Sequence, residues 1–205
     1  MGNNRFLLVF RAVIGGFLAG ISLLMGESFL MPIAIAALWS VYRQPFASSL
    51  WGGSAVLVSH FWLLSLHPLD WIGISSKLSL PIAISIWFFC GLFGAVLVGL
   101  WSYIGKKIQF FHSSIDSNIK KNFIHAFVLA CLWGLVEVFL GQLPLFWIGI
   151  GASALPGDRW LAGMAQWFGG GGLAAFQLLI GWWVWQTSIA FLYARRWKKL
   201  FFVGF

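Results

Sequence analysis

The residue best placed to do chemistry is a lone carboxylate in an apolar run. Glu137 lies within Cys131 to Gly141, CLWGLVEVFLG, after which the chain breaks into an aromatic, Gly/Pro-rich stretch reaching Gly163. A charge at the centre of a hydrocarbon-spanning segment costs about 2.5 to 3.5 kcal/mol on insertion scales, so it faces the protein interior or water and commonly marks a site. The alternative is an acid near a helix end, reaching the headgroups or held by a neighbouring helix. The other titratable residues form no catalytic set. His60 and His67 share a helix face, yet Pro68 follows at once and no Glu or His stands three or four residues on, so no metal site is expected. His67 with Asp70 makes an expected polar pair. Cys90 and Cys131 sit in apolar runs without a CxxC motif or a cationic neighbour, which predicts buried small hydrophobes rather than nucleophiles. No Ser lies in a nucleophile elbow. The run Gly169 to Gly172 lacks the preceding strand and the following Lys-Ser/Thr of a phosphate loop, and predicts close helix packing or a helix break instead. Neither a catalytic residue nor a cofactor is expected from this set.

The elements that must position Glu137 follow from composition. With 60% hydrophobic and 9% charged residues among 205, the chain is too apolar for a soluble domain and reads as a single all-α, polytopic membrane bundle over 1–205. A crossing takes about 20 apolar residues. Six runs approach that length, predicting helices over about 6–25, 29–42, 46–66, 80–104, 122–140 and 164–193. Pro32 and Pro81 stand near the expected starts of the second and fourth. The net charge of +8 would suit nucleic acid only as a stripe on a water-facing surface. Here the cations cluster between apolar spans, so no nucleic-acid partner is expected. Alternate connections put eleven Lys and Arg residues on one side and only Lys77 and Arg159 on the other. That asymmetry predicts both termini in the cytoplasm, with segments 67–79 and 141–163 at the outer face.

Most of the 14 tryptophans are expected in interfacial belts and helix packing. Trp71, Phe146, Trp147, Trp160 and Trp167, however, gather in the outer segments beside Gly and Pro. An apolar cleft built from such residues suits a lipid acyl chain or a lipidated peptide.

Several places along the chain then resemble one family. Met31-Pro32-Ile33-Ala34 opens the second span, Trp62 to His67 closes the third as an aromatic-to-Ser-Leu-His segment, and Leu132-Trp133 precedes Glu137 and Gly141. Phe146-Trp147 with Gly151-Ala152-Ser153, and Leu161 to Gln166 leading into glycines, complete the order. The whole resembles the N-terminal membrane part of bacterial apolipoprotein N-acyltransferase, which moves an acyl chain from a phospholipid to the N-terminal amine of a diacylglyceryl-cysteine lipoprotein. The family's Arg before the glycine is Leu140 here, which leaves Arg159 as the expected outer-side partner of Glu137. The resemblance implies a multi-pass protein of the bacterial inner membrane whose lipid cleft is shaped by Glu137, Trp147, Trp62, His67 and Gln166. It also implies that acyl transfer needs the Glu, Lys and Cys of a carbon-nitrogen hydrolase domain, supplied elsewhere or by a separate polypeptide. The competing reading is a noncatalytic scaffold or a small transporter using Glu137 as an ion or proton site.

Overall fold

The computed structural model describes residues 2–27, 29–111, 119–143, 149–155 and 159–203. These residues form six α-helices: α1 (Gly2–Met25), α2 (Leu30–Val41), α3 (Pro45–Ser59), α4 (Ser76–Phe111), α5 (Ile119–Gly141) and α6 (Arg159–Val203). Three 3-10 turns, Phe61–Leu66, Asp70–Ile72 and Ile150–Ala154, complete them, and no strand occurs among the described residues. Stretches of α1, α4, α5 and α6 are long and apolar enough to cross a membrane. The 12 residues of α2 rise only about 18 Å.

Local chemistry sets the helix ends. Gly26 takes a left-handed φ of 65°, which ends α1 at no steric cost, and the Ser22 hydroxyl donates to the Glu27 carbonyl at 2.7 Å across that end. Pro45 occupies the first turn of α3, where its missing N–H is no loss. The helix expected over 46–66 stops at Ser59, because His60 leaves helical geometry and the chain tightens into the 3-10 turn before Pro68. Conversely, α4 begins at Ser76 rather than 80, so Pro81 lies inside the helix instead of opening it. The described part of α6 starts at Arg159 and is broken at Gly169, whose φ of 63° and ψ of −172° are open to glycine and strained for other residues. The glycine run thus interrupts the last helix, one of the two outcomes expected of it.

The helices close into a ring. Helix α3 packs on α4 and α1, α1 on α2, α2 on α6 and α6 on α5, while α5 meets α4 least closely. Aromatic side chains fill that last seam: Trp101 lies edge-on to Trp133 with ring centroids 6.0 Å apart, and Trp39 to Trp101 at 5.4 Å. Indole N–H groups reach backbone carbonyls of neighbouring helices at four points. Trp39 donates to Leu178, Trp51 to Ala34, Trp87 to Leu57 and Trp101 to Leu129, at 2.7 to 3.0 Å. Inside the ring lie fully buried Met31, Ile35, Trp51, Leu129, Leu173 and Leu178. The outside is as apolar as the inside, with Phe6, Phe10, Phe88, Phe89, Leu135 and Phe139 all exposed. In water such a surface would be a large aggregation-prone patch, so its solvent is lipid and the protein is a multi-pass membrane bundle.

Candidate functional site

Glu137 is turned into the bundle, where it is 8% exposed, and both of its carboxyl oxygens accept hydrogen bonds. Oε1 accepts from the Trp133 indole Nε1 at 2.8 Å and from the Ile150 backbone N–H at 2.6 Å, and Oε2 from the Gly151 N–H at 3.4 Å. Trp133 stands four residues earlier on the same face of α5, the spacing at which helical side chains meet. The other two donors lead the 3-10 turn Ile150–Ala154. The first N–H groups of a helical turn have no partner within it. The turn's internal bonds begin only at Ala152, which donates to the Gly149 carbonyl at 3.0 Å. The carboxylate therefore caps the turn from another helix and ties it to α5. Ser153 adds a bond from its hydroxyl to the Ile150 carbonyl at 2.8 Å.

Glycines make room for this clamp. Gly149 has φ −80° and ψ 162°, extended backbone that any residue adopts, so the need for glycine there is spatial. A Cβ at Gly149 would fall on the Glu137 carboxyl group, and one at Gly151 on the Gly170 carbonyl of α6. Directly beside them, a Cβ at Gly134 would collide with the Gly171 carbonyl. We expect Gly149→Ala to destabilise the bundle by about 2 kcal/mol, through overpacking and the displaced acceptor. The midpoint of unfolding in mixed detergent–SDS micelles reads this directly, and an unshifted midpoint would mean that the carboxylate does not sit against Gly149.

The other expected site residues are distributed differently. His67 is half-buried, and its Nδ1 bonds the Ser79 hydroxyl of α4 at 2.8 Å instead of pairing with Asp70, which is exposed. Ser79 is fully buried and its Oγ also accepts from the Leu69 N–H at 2.8 Å. This Ser–His contact is a clasp on the 67–69 backbone; a hydroxyl so enclosed cannot attack a substrate. Trp62 is 40% exposed on the 3-10 turn Phe61–Leu66, and Gln166 is exposed on the segment of α6 that precedes the break at Gly169. Trp147 and Phe146 lie outside the described residues, as does the side chain of Arg159, the partner expected for Glu137. Cys90 and Cys131 are free and half-buried, less enclosed than expected. Among the described residues no cluster of His, Cys, Asp and Glu could hold a metal ion.

Beneath the clamp a cavity of about 30 Å³ remains between Met31, Trp51, Trp133 and Ile150. Ligand pockets begin at roughly 300 Å³, so an acyl chain has no place there. Trp62, Trp71, Trp167 and Phe168, which flank the 3-10 turns and the Gly169 break, are exposed. Sequence reasoning found Glu137 but missed its donors. Trp133 was legible at the i−4 position, and Gly149 and Gly151 were visible as a pair, whereas a backbone N–H carries no residue signature.

Comparison with known proteins gives a consistent set of relatives. The chain is 54% identical over 190 residues to the apolipoprotein N-acyltransferase of Prochlorococcus marinus strain MIT 9313, covering 93% of this chain and 38% of that protein. It is 48% identical over 204 residues to the protein of the same name from Prochlorococcus marinus strain SARG, covering 100% of this chain and 41% of that one. A third, from Parasynechococcus marenigrum strain WH8102, is 44% identical over 97% of this chain and 40% of its own length. The chain thus spans about two-fifths of the length of these curated relatives. No family model and no solved structure matches it.

Proposed function

The chain is a homologue of the apolipoprotein N-acyltransferases along about two-fifths of their length, and from that premise we propose that it is the membrane part of such an acyltransferase, holding acyl chains during phospholipid-to-lipoprotein transfer. The observation that carries the reading is identity of 44 to 54% spread along 93 to 100% of the chain rather than confined to one segment. In this proposal residues 1–205 form one domain of the bacterial inner membrane, crossing six times with both termini in the cytoplasm. Trp62, His67, Trp147 and Gln166 face the acyl chains of a phospholipid and of a diacylglyceryl lipoprotein at the outer end. Glu137 holds the floor beside them without touching the reacting atoms. Acyl transfer itself requires a thiolate and a base positioned together, which this reading assigns to a carbon-nitrogen hydrolase domain outside these residues or on a separate polypeptide.

A transporter reading needs Glu137 to exchange an ion or a proton with a pathway. Both of its oxygens are engaged by donors internal to the bundle, which favours the acyltransferase reading. A chimera tests the proposal. Exchanging the matching two-fifths of the Prochlorococcus MIT 9313 relative for this chain, in cells dependent on that relative, is expected to preserve N-acylated lipoprotein as read by mass spectrometry. A chimera that inserts in the membrane at normal abundance yet leaves lipoproteins unacylated would sink the idea.

A further inference from the structure

At the opposite end of the bundle from Glu137, the end of α2, the start of α5 and the interior of α6 between Trp182 and Ile189 line a cavity of about 340 Å³ that the acyl-transfer reading does not use. Its polar lining comes from Ser40, Tyr42, Arg43, Asn122, His125 and Gln186, and its walls from Trp39 and Trp185 among others. Arg43 follows α2 and is exposed, with its guanidinium 5.9 Å from the Tyr42 ring centroid and its Nε donating weakly to the Tyr42 hydroxyl at 3.4 Å. A guanidinium held over a ring by cation–π attraction keeps its terminal N–H groups available for a planar, two-point grip on a phosphate. The amide groups of Asn122 and Gln186 add neutral donors to the same space.

Among the described residues the charge at this end is one-sided, and Asp116, in the connection between α4 and α5, lies outside them. Lys120 and Lys121 open α5, and Lys106 and Lys107 stand in the last turns of α4. Of the described acids, Glu27 follows α1, Asp70 follows α3, and Glu137 lies 15 residues beyond Asn122 on α5, a rise of roughly 22 Å. All three belong to the other end. The cavity also shares Trp182 with a neighbouring groove of about 450 Å³, whose other lining residues are Ile119, Lys120, Phe123 and Ile124. Phe123 and Trp182 pack with ring centroids 5.7 Å apart between the two spaces. A small soluble anion has no use for an apolar groove, whereas an amphiphile fills both compartments.

We propose that this end of the bundle holds a second lipid site, which binds the phosphate headgroup of an anionic phospholipid against Arg43 and lays an acyl chain along Phe123, Ile124 and Trp182. Basic pockets between membrane helices recognise anionic headgroups by this combination of surface charge and apolar contact. The site is independent of the function proposed above, since it uses neither the outer end nor Glu137.

Native mass spectrometry of the whole chain in detergent, with phosphatidylglycerol or phosphatidylcholine of equal chain length added, tests it. The wild-type protein is expected to retain one phosphatidylglycerol at least fivefold more tightly than phosphatidylcholine, and Arg43→Gln to lose about fivefold toward phosphatidylglycerol. Arg43→Lys, keeping the charge without the fork, should fall between. Ile124→Asn, on an exposed face, should weaken both lipids alike. Lys77→Gln, at the other end, should change nothing. Retention by Arg43→Gln equal to wild type overturns the site, as does an equal loss in Lys77→Gln. Displacement of the lipid by equimolar inorganic phosphate overturns it too, because the cavity would then be a site for a free anion.

Discussion

Glu137→Leu is expected to lower the stability of the bundle by about 3 kcal/mol or more, and Glu137→Gln by only about 1 kcal/mol. Two effects of opposite sign compete in the leucine variant. Removing a buried charge relieves its desolvation, and a well-packed apolar replacement of similar volume is sometimes stabilising. Against this, leucine leaves the Trp133 indole and the Ile150 and Gly151 amides without the acceptor they now share. Each buried donor left unmade costs about 1 to 3 kcal/mol, and two of the three belong to the backbone and cannot be mutated away, so the loss of acceptors wins. Glutamine keeps a carbonyl oxygen able to accept from Trp133 and Ile150. It presents its amide only to the Gly151 N–H, whose bond is the longest of the three at 3.4 Å. Unfolding midpoints in detergent–SDS mixtures would rank wild type above Gln above Leu. Leucine at or above wild type would show that the carboxylate is a liability rather than an anchor. In the chimera described above, the same ranking should appear in acylated lipoprotein.

The second large effect belongs to the crossing of α5 and α6. A Cβ on Gly134 meets the Gly171 carbonyl, and a Cβ on Gly171 meets the Gly134 carbonyl and Val138. Because the obstruction is backbone on both sides, no rotamer change relieves it and the helices must separate. Overpacking costs about 1 to 3 kcal/mol, and Gly134→Ala and Gly171→Ala should each reach the upper part of that range. Once the helices have parted, the second methyl meets less resistance, so the double variant should fall well short of the sum. Gly163→Ala is the control. Nothing lies within 4 Å of its Cβ, and alanine improves helix propensity by up to about 1 kcal/mol. Thermal unfolding followed by tryptophan fluorescence separates the two cases. A Gly134→Ala protein that melts with the wild type would contradict the close crossing.

The class of the fold was written in composition, because no soluble domain tolerates so few charges, and the improbable position of Glu137 was equally plain. What stayed hidden was what the carboxylate does. Its partners in the Ile150–Ala154 turn stand 13 and 14 residues away and act through amides that every residue type but proline possesses. Gly149 stood unremarked in a Gly/Pro-rich stretch, whereas its work is to leave space beside a side chain. The expected partnership of His67 with Asp70 failed for a related reason. Starting α4 at Ser76 brings Ser79 onto a helix within reach of His67, and the helix start expected at Leu80 had left Ser79 in a loop. Pro81 misled that boundary, since proline is tolerated in early turns as well as at the first position. The break at Gly169 was legible because four successive glycines carry no side chains to hold a helix straight.

The four indole-to-carbonyl bonds bear on how the chain assembles. Helices already threaded into a bilayer can slide past one another at little cost, because alkyl tails solvate leucine as well as another helix does. An indole proton with one carbonyl in reach removes that freedom: a shift of one turn strands the proton where no water can take it. Trp39, Trp51, Trp87 and Trp101 thus act like pawls on a ratchet, letting the helices settle in a single axial alignment. Replacing any of them with phenylalanine would keep the grease but lose the index mark.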